Sequence, residues 1–241
     1  MLHKTRGIVL NSIQYNDKYA VTLIYTEEFG RVAYLTSLSK SRKTKVPRSL
    51  FHPLAILDLE VEHQILRDIQ RVKEVKIHIP LIAILIDPVK SAMGIFIAEL
   101  ISKVIREEQT NSLLFDFLLQ SVKVLELTDT SPANFHLVFM IRLSRLLGFY
   151  PDVSTYQKGM FFDMQNGIFT GIKPVHINFL PQDESAIFYN LMRMSYENMQ
   201  AFHFSGRERQ AIIRRILEYY RLHLSDFPEI KSLEVLHDVF S

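Results

Sequence analysis

The hydrophobic period of this chain changes once, near Pro80, and that change limits the fold to two unlike parts. From Thr5 to about Ile77, apolar residues alternate with polar ones or are β-branched, as half-buried strands require. Beyond Pro80 they recur every three or four residues, as helices packed by one face require. The expectation is an α+β chain, with a strand domain over 1–79 and a helical domain over 80–241. At 241 residues and 48% hydrophobic, the chain has apolar material for a core in each.

Gly7-Ile8-Val9-Leu10 leads a first strand toward Gln14, and Asn16-Asp17 make a polar turn. Tyr19–Thr26 is a second strand. Glu27–Gly30 is a tight connection in which Gly30 is free to take positive φ. Arg31–Leu38, His52–Glu62 and Ile69–Ile77 complete the set, although Val72 falls out of step with Val75 and Ile77. Five short strands with a long connection between the third and fourth have the layout of an OB-fold barrel. That fold holds single strands by a charged groove and aromatic stacking platforms. Tyr15, Tyr19, Tyr25 and Tyr34 are candidate stackers, or else ordinary barrel residues.

In the second part, Asp87-Pro88 caps and opens a helix over Val89–Glu108, and Asn111–Leu127 gives another. Ser131-Pro132 repeats the signal ahead of Ala133–Leu147, which Gly148 ends. An irregular insert, about 149–181, contains Gly159, Gly167 and Gly171 and reads as one or two small hairpins. Helix resumes over Asp183–Asn198. A capping box, Ser205–Glu208, starts Glu208–Leu224, and Ser232–Phe240 forms a last short turn or two.

Charge is unevenly placed. Residues 1–50 hold nine Lys/Arg against three Asp/Glu, a net +6, although the whole chain is only +2. Leu38–Leu50 alone carries Lys40, Arg42, Lys43, Lys45 and Arg48 with no carboxylate. Localised positive charge is the footprint of a polyanion site. A solvated loop serving solubility is the plainer alternative. Arg6 and Arg31 on the first and third strands, with Tyr15, complete the candidate DNA-binding set.

Several functions are excluded or disfavoured. Without cysteine the chain has no disulfide, thiolate nucleophile or Cys-type zinc site. Met1–Gly7 lacks the apolar region of a signal peptide, and the longest apolar run, Ile79–Ile86, is too short to span a bilayer. A cytoplasmic protein is expected. No Gly-rich phosphate loop exists. Asp58, Glu60 and Glu62 share one strand face, as a metal-dependent nuclease could use, yet a solvent-facing strand edge explains them better. Arg209, Arg214, Arg215 and Arg221 would suit the recognition helix of a duplex-binding transcription regulator. Ile212, Ile213, Ile216 and Leu217 argue that this helix is mostly packed. Nine histidines show no ligand spacing, and none is assigned a role.

Four motifs in order carry a resemblance. Gly7–Leu10 followed by Tyr15-Asn16-Asp17 and Thr26–Gly30, then the basic segment from Ser39-Lys40, are the first two. Phe139–Asp152 and the ending over Leu217–Leu236 are the others. Together they are similar to the RecO family of DNA repair and recombination mediators over nearly the whole chain. The resemblance implies an N-terminal OB-fold, a helical C-terminal domain and a non-enzymatic function without cofactor. It also implies binding to single- and double-stranded DNA and annealing of complementary strands. The implied partners are RecR, single-stranded DNA-binding protein and, indirectly, the recombinase RecA, in the nucleoid. Many family members hold zinc with four cysteines in the insert; here no zinc is expected, and Phe161, Phe162, Ile168 and Phe169 are expected to pack the insert instead. The acidic, apolar-ended tail of single-stranded DNA-binding protein needs cations beside aliphatic surface. Arg142 and Arg145, three apart on one helix among Leu143, Leu146 and Leu147, offer this, unless they only cap that helix or pair with carboxylates.

Overall fold

Alternation closes the first part of the chain into a barrel. The computed structural model describes residues 2–38, 46–64, 66–105, 110–129 and 132–239. Strands β1 (Leu2–Gln14), β2 (Tyr19–Thr26), β3 (Gly30–Ser37), β4 (Ile56–Glu62) and β5 (Ile69–Ile79) lie in the closed order β1-β2-β3-β5-β4. Neighbours are antiparallel except β3 and β5, which pair in parallel from Ala33↔Ile69 to Leu35↔Arg71. This is the OB-fold arrangement foreseen from the strand spacing. Val9, Ile24, Val32, Tyr34, Leu57, Leu59, Val61 and Val75 fill the interior. A Cβ on Gly7 would lie 2.6 Å from Ile24 Cγ2, so β1 can cross the core at that point only as glycine. Gly30 takes the positive φ, 64°, expected of the β2–β3 turn.

Two strand readings are refined. Val72 and Val75 both face inward because the β4–β5 register shifts between Glu60 and Val61, and a bulge inserts one extra residue into β5. The fourth strand begins at Ile56 rather than His52. The chain ahead of it makes a 3-10 turn at Arg48–Leu50 and a left-handed residue at Leu54, φ 63°.

The described residues divide into two compact units, one running to Leu127 and rejoined by Ile230–Val239, the other Thr128–Glu229. The change from strands to helices at Pro80 therefore falls inside the first unit. Three helices follow the barrel there: α1 (Ile82–Ile86), α2 (Pro88–Val104) and α3 (Ser112–Leu127). Asp87 caps α2 as expected, accepting from Val89 N at 2.8 Å and Lys90 N at 3.1 Å. The expected end of that helix at Glu108 lies outside the described residues, and helical structure stops at Val104.

The second unit holds α4 (Phe135–Leu146), α5 (Gln182–Met192) and α6 (Gly206–His223). Helix α4 starts later than Ser131-Pro132 suggests. Pro132 O accepts from Phe135 N, so residues 132–134 form a turn ahead of the helix. Helix α5 stops at Met192, short of Asn198. The side chain of Asn198 bridges Ser195 N at 2.7 Å and Arg193 O at 3.1 Å and folds the chain back. Helix α6 opens with the foreseen capping box. Tyr219 Oη donates to Phe149 O at 2.8 Å and Tyr220 Oη to Met140 O at 2.6 Å, tying α6 to α4 and its exit.

The insert forms β6 (Phe161–Asp163), β7 (Ile168–Thr170) and β8 (Phe179–Leu180), in the order β7-β6-β8. Phe162 and Phe169 are buried and touch each other, and Phe162 also meets Phe188 and Tyr219. Phe161 packs on Phe179. Ile168, expected among them, is 40% exposed because it points to the opposite face of β7. A last helix, α7 (Leu233–Val239), belongs to the first unit. No helix among the described residues is long and apolar enough to cross a membrane.

Candidate nucleic-acid interface and partner-binding face

Two surfaces are built from the residues singled out above, one in each unit. On the barrel, Lys40, Arg42, Lys43 and Lys45 lie outside the described residues. Their segment leaves β3 after Ser37 and re-enters at Val46, which is buried in the barrel core with Phe51. Between those anchors Arg48 stands exposed in its 3-10 turn. The guanidinium of Arg31, on β3, is partly covered. Its Nε is shielded from solvent and meets no acceptor among the described residues.

At the turn end of the β1–β2 hairpin every residue from Asn11 to Tyr19 is exposed. Its tip is ordered by Asn16 Oδ1, which accepts from Lys18 N and Tyr19 N at 2.9 Å each. Tyr15 (70% exposed) and Tyr19 (42%) therefore present their rings to solvent. Tyr25 and Tyr34 are fully buried and are barrel residues.

Arg6 is differently employed. Its Nε donates to Glu27 Oε2 at 2.7 Å and its Nη2 to Oε1 at 2.5 Å, a bidentate pair, and it lies over the Phe115 ring at 5.4 Å. That bond raises the pKa of Arg6 and holds the Glu27 carboxyl below its usual range. Arg6 also lines a cleft of about 430 Å³ in which Glu27, Asp58, Glu60 and Glu74 outnumber Lys4, Arg6 and Lys76. A phosphate would meet repulsion there. The pairing with Glu27, distant in sequence, gave no signal to sequence reasoning.

Two of the three carboxylates weighed for a nuclease are otherwise engaged. Asp58 lies 3.0 Å from His78 Nδ1 and Glu62 3.0 Å from Lys73 Nζ, on the outer face of β4. Among the described residues no group of three His, Asp or Glu is placed to hold a metal ion. The four-cysteine zinc site that the resemblance implies for many family members cannot be built in this insert. Cysteine is absent, and there Asp163 accepts from Gln165 N at 2.9 Å and Asn166 N at 3.1 Å while facing His176 at 3.3 Å. Two such groups fall short of four ligands. Of the cations weighed for a duplex-reading helix, Arg215 is held by Glu184 at 2.6 Å and Glu218 at 2.9 Å, while Arg214 and Arg221 are exposed; α6 buries Ile212, Ile213, Ile216 and Leu217, as expected of a packed helix.

In the second unit, Arg142 and Arg145 are the exposed residues on an otherwise buried run of α4. Each lies over a tyrosine ring, Arg142 over Tyr196 at 5.5 Å and Arg145 over Tyr150 at 4.1 Å. Neither makes an ion pair among the described residues. Each cation lies within cation–π reach of its ring, and the charge of Arg142 also helps hold the Glu197 carboxyl below its usual range, after the bonds that carboxyl makes with Ser195 and with its own backbone. Sequence reasoning missed both rings. Tyr150 follows α4 closely and was findable, whereas Tyr196 is remote in sequence.

The class these features define is a two-part protein built on an OB-fold barrel and a helical remainder. The family model described as Recombination protein O N terminal matches residues 1–80, and Recombination protein O C terminal matches 86–234. The DNA repair protein RecO of Azobacteroides pseudotrichonymphae is 53% identical over 240 residues, 100% of both chains. Those of Phocaeicola vulgatus and Bacteroides fragilis are 43% and 44% identical over 241 residues, again 100% of both chains. This chain belongs to the RecO family of DNA repair proteins.

Proposed function

We propose that the chain is a recombination mediator. It binds single- and double-stranded DNA and anneals complementary strands. With RecR it helps load the recombinase RecA onto DNA coated by single-stranded DNA-binding protein, in the cytoplasm at the nucleoid. The observation that carries this reading is the net +6 of residues 1–50, in a chain of +2, on an OB barrel with Tyr15 and Tyr19 exposed. Residues 1–79 form the nucleic-acid-binding domain in this proposal, and the face that receives the partner's tail lies in the helical domain, 80–241. Arg48, Arg31 and the cations Lys40, Arg42, Lys43 and Lys45 neutralise phosphates, and Tyr15 stacks on a base. Arg142 and Arg145 receive the acidic tail of single-stranded DNA-binding protein. No step is catalytic.

Phosphate contacts release counterions, each contributing about −0.7 to the slope of log affinity against log salt for single strands. Alanine at Arg42, Lys43 and Lys45 together should flatten that slope by roughly 2 and weaken all sequences alike. A triple variant with the parent's melting temperature and salt slope would remove the loop from the interface. For the second surface, a fluorescent tail peptide is titrated against Arg142→Glu and Arg145→Glu. Each should bind at least about tenfold more weakly, since a charge-assisted bond becomes a repulsion. Equal affinity in both would exclude this face of α4.

A further inference from the structure

Between α5 and α6 the chain makes a 3-10 turn at Met199–Ala201 and then passes through Phe202, His203 and Phe204, outside helix and strand, to the cap at Ser205. His203 is exposed and the two phenylalanines are half-buried. None of the three rings stacks on another ring among the described residues. With Asn134, Met199 and Arg209 they line a cavity of about 530 Å³. Three successive rings held open in this way cost hydrophobic exposure that packing elsewhere would have relieved.

Asn134 gives the cavity its chemistry. It is 5% exposed, and its Nδ2 donates to Met199 O at 2.9 Å and Phe202 O at 2.7 Å. Both partners are carbonyls, so the amide orientation is determined. Its Oδ1 is buried and receives no donor from the described residues. A buried acceptor left unmet is costly and is filled wherever chemistry allows. Arg209 on the cavity wall is steadied by donation from Nη1 to Phe204 O at 2.5 Å. Arg207 stands exposed in the first turn of α6, an 18-residue helix whose positive end lies there.

Ring faces, a deep acceptor and a neighbouring cation at a helix start together describe a flat heterocycle that carries an N–H and is attached to an anion. We propose that this cavity captures one unpaired base of single-stranded nucleic acid. The base stacks on His203 and Phe204, its N–H edge donates to Asn134 Oδ1, and the adjoining phosphate meets Arg207. An acidic peptide fits less well, because its carboxylate would bring an acceptor to an acceptor. The site rests on the reading of the chain as a single-strand binder and adds to it a contact made by stacking rather than by charge.

The test is titration of the full chain with a single-stranded oligonucleotide carrying one 2-aminopurine, whose fluorescence is quenched on stacking. His203→Ala with Phe204→Ala should lose the quenching and about tenfold in affinity, the size of one aromatic stack, with salt slope and duplex affinity kept. His203→Phe with Phe204→Tyr should restore both. As a control for disturbance of the loop, His203→Ala alone, at an exposed position, should show part of the same loss with an unchanged melt. Equal quenching and affinity in a folded His203→Ala, Phe204→Ala protein would overturn the site while leaving single-strand binding intact. A parent that binds no single strand would overturn both. Loss of acidic-peptide binding in that variant, with oligonucleotide binding kept, would assign the cavity to a peptide instead and overturn the proposal.

Discussion

His136 sits inside α4 with no solvent exposure. Burial first, and the nearby charge of Arg209 second, push its pKa down to about 3. An unfolded histidine titrates at about 6.5. Between those values the unfolded chain takes up a proton that the native ring refuses, so stability falls as acid is added through that window. The linkage is about 1.4 kcal/mol for each pH unit below about 6.5. His136→Leu removes the group from the balance. Urea unfolding at pH 7.5 and pH 4.5 should therefore show the parent losing about 2–3 kcal/mol more than the variant. Two curves falling in parallel would mean that the native ring accepts the proton. Arg6 carries the complementary lesson. Its charge suggested a phosphate contact, yet the bidentate bond to Glu27 meets that charge within the barrel. A cation in sequence is only an offer, and its partner is often too distant to read.

Helix α1 shows the same limit at the level of elements. Ile82–Ile86 is a run of β-branched and aliphatic residues with no capping residue before it, so its sequence reads only as apolar. Its cap arrives from α3. The carboxylate of Glu126 accepts from Ile82 N at 2.9 Å, Ala83 N at 2.8 Å and Ile84 N at 2.9 Å. Glu126 O also accepts from the buried Lys90 Nζ at 2.8 Å, which binds α2 to the same point. Glu126→Ala should leave three orphaned amides at the positive end of α1 and cost about 1–3 kcal/mol in urea unfolding. Glu126→Gln, retaining one acceptor oxygen, should recover part of it. An alanine variant as stable as the parent would show that water caps α1 equally well. Where the signal is local, the elements were legible: the strands by alternation, α2 by Asp87, α6 by its capping box. The out-of-step Val72 was a true sign of a bulge whose cause lies in pairing with β4. The exposed hairpin around Tyr15 was legible as a turn, whereas the burial of Tyr25 and Tyr34 depended on barrel closure.

Taken as a whole, the chain leaves its first unit at Leu127, builds a second, and returns at Ile230 to complete the first. Glu99 on α2 secures the return. Its carboxylate accepts from Lys231 N at 3.1 Å, from Ser232 N at 2.7 Å and from Ser232 Oγ at 2.5 Å. Burial works against this charge, but the bonds from Ser232 and Lys231 prevail and keep the carboxyl below its ordinary range. Ile230 and Leu236 are buried in the same segment at 4% and 1% exposure. Burial of two such side chains contributes about 3–6 kcal/mol. A chain ending at Glu229 should therefore lose several kcal/mol from the unfolding of its barrel unit, read by exchange protection of amides in β1 and β4. Glu99→Ala in the full chain should reproduce about 1–3 kcal/mol of that loss, because Ser232 and Lys231 lose their acceptor. Combining the two changes separates the causes. If Glu99 acts through the returning segment, Glu99→Ala should cost almost nothing more once that segment is gone. A full additional loss in the shortened chain would place the work of Glu99 elsewhere in the barrel unit, with its i,i+4 partner Lys103 at 3.5 Å the first candidate.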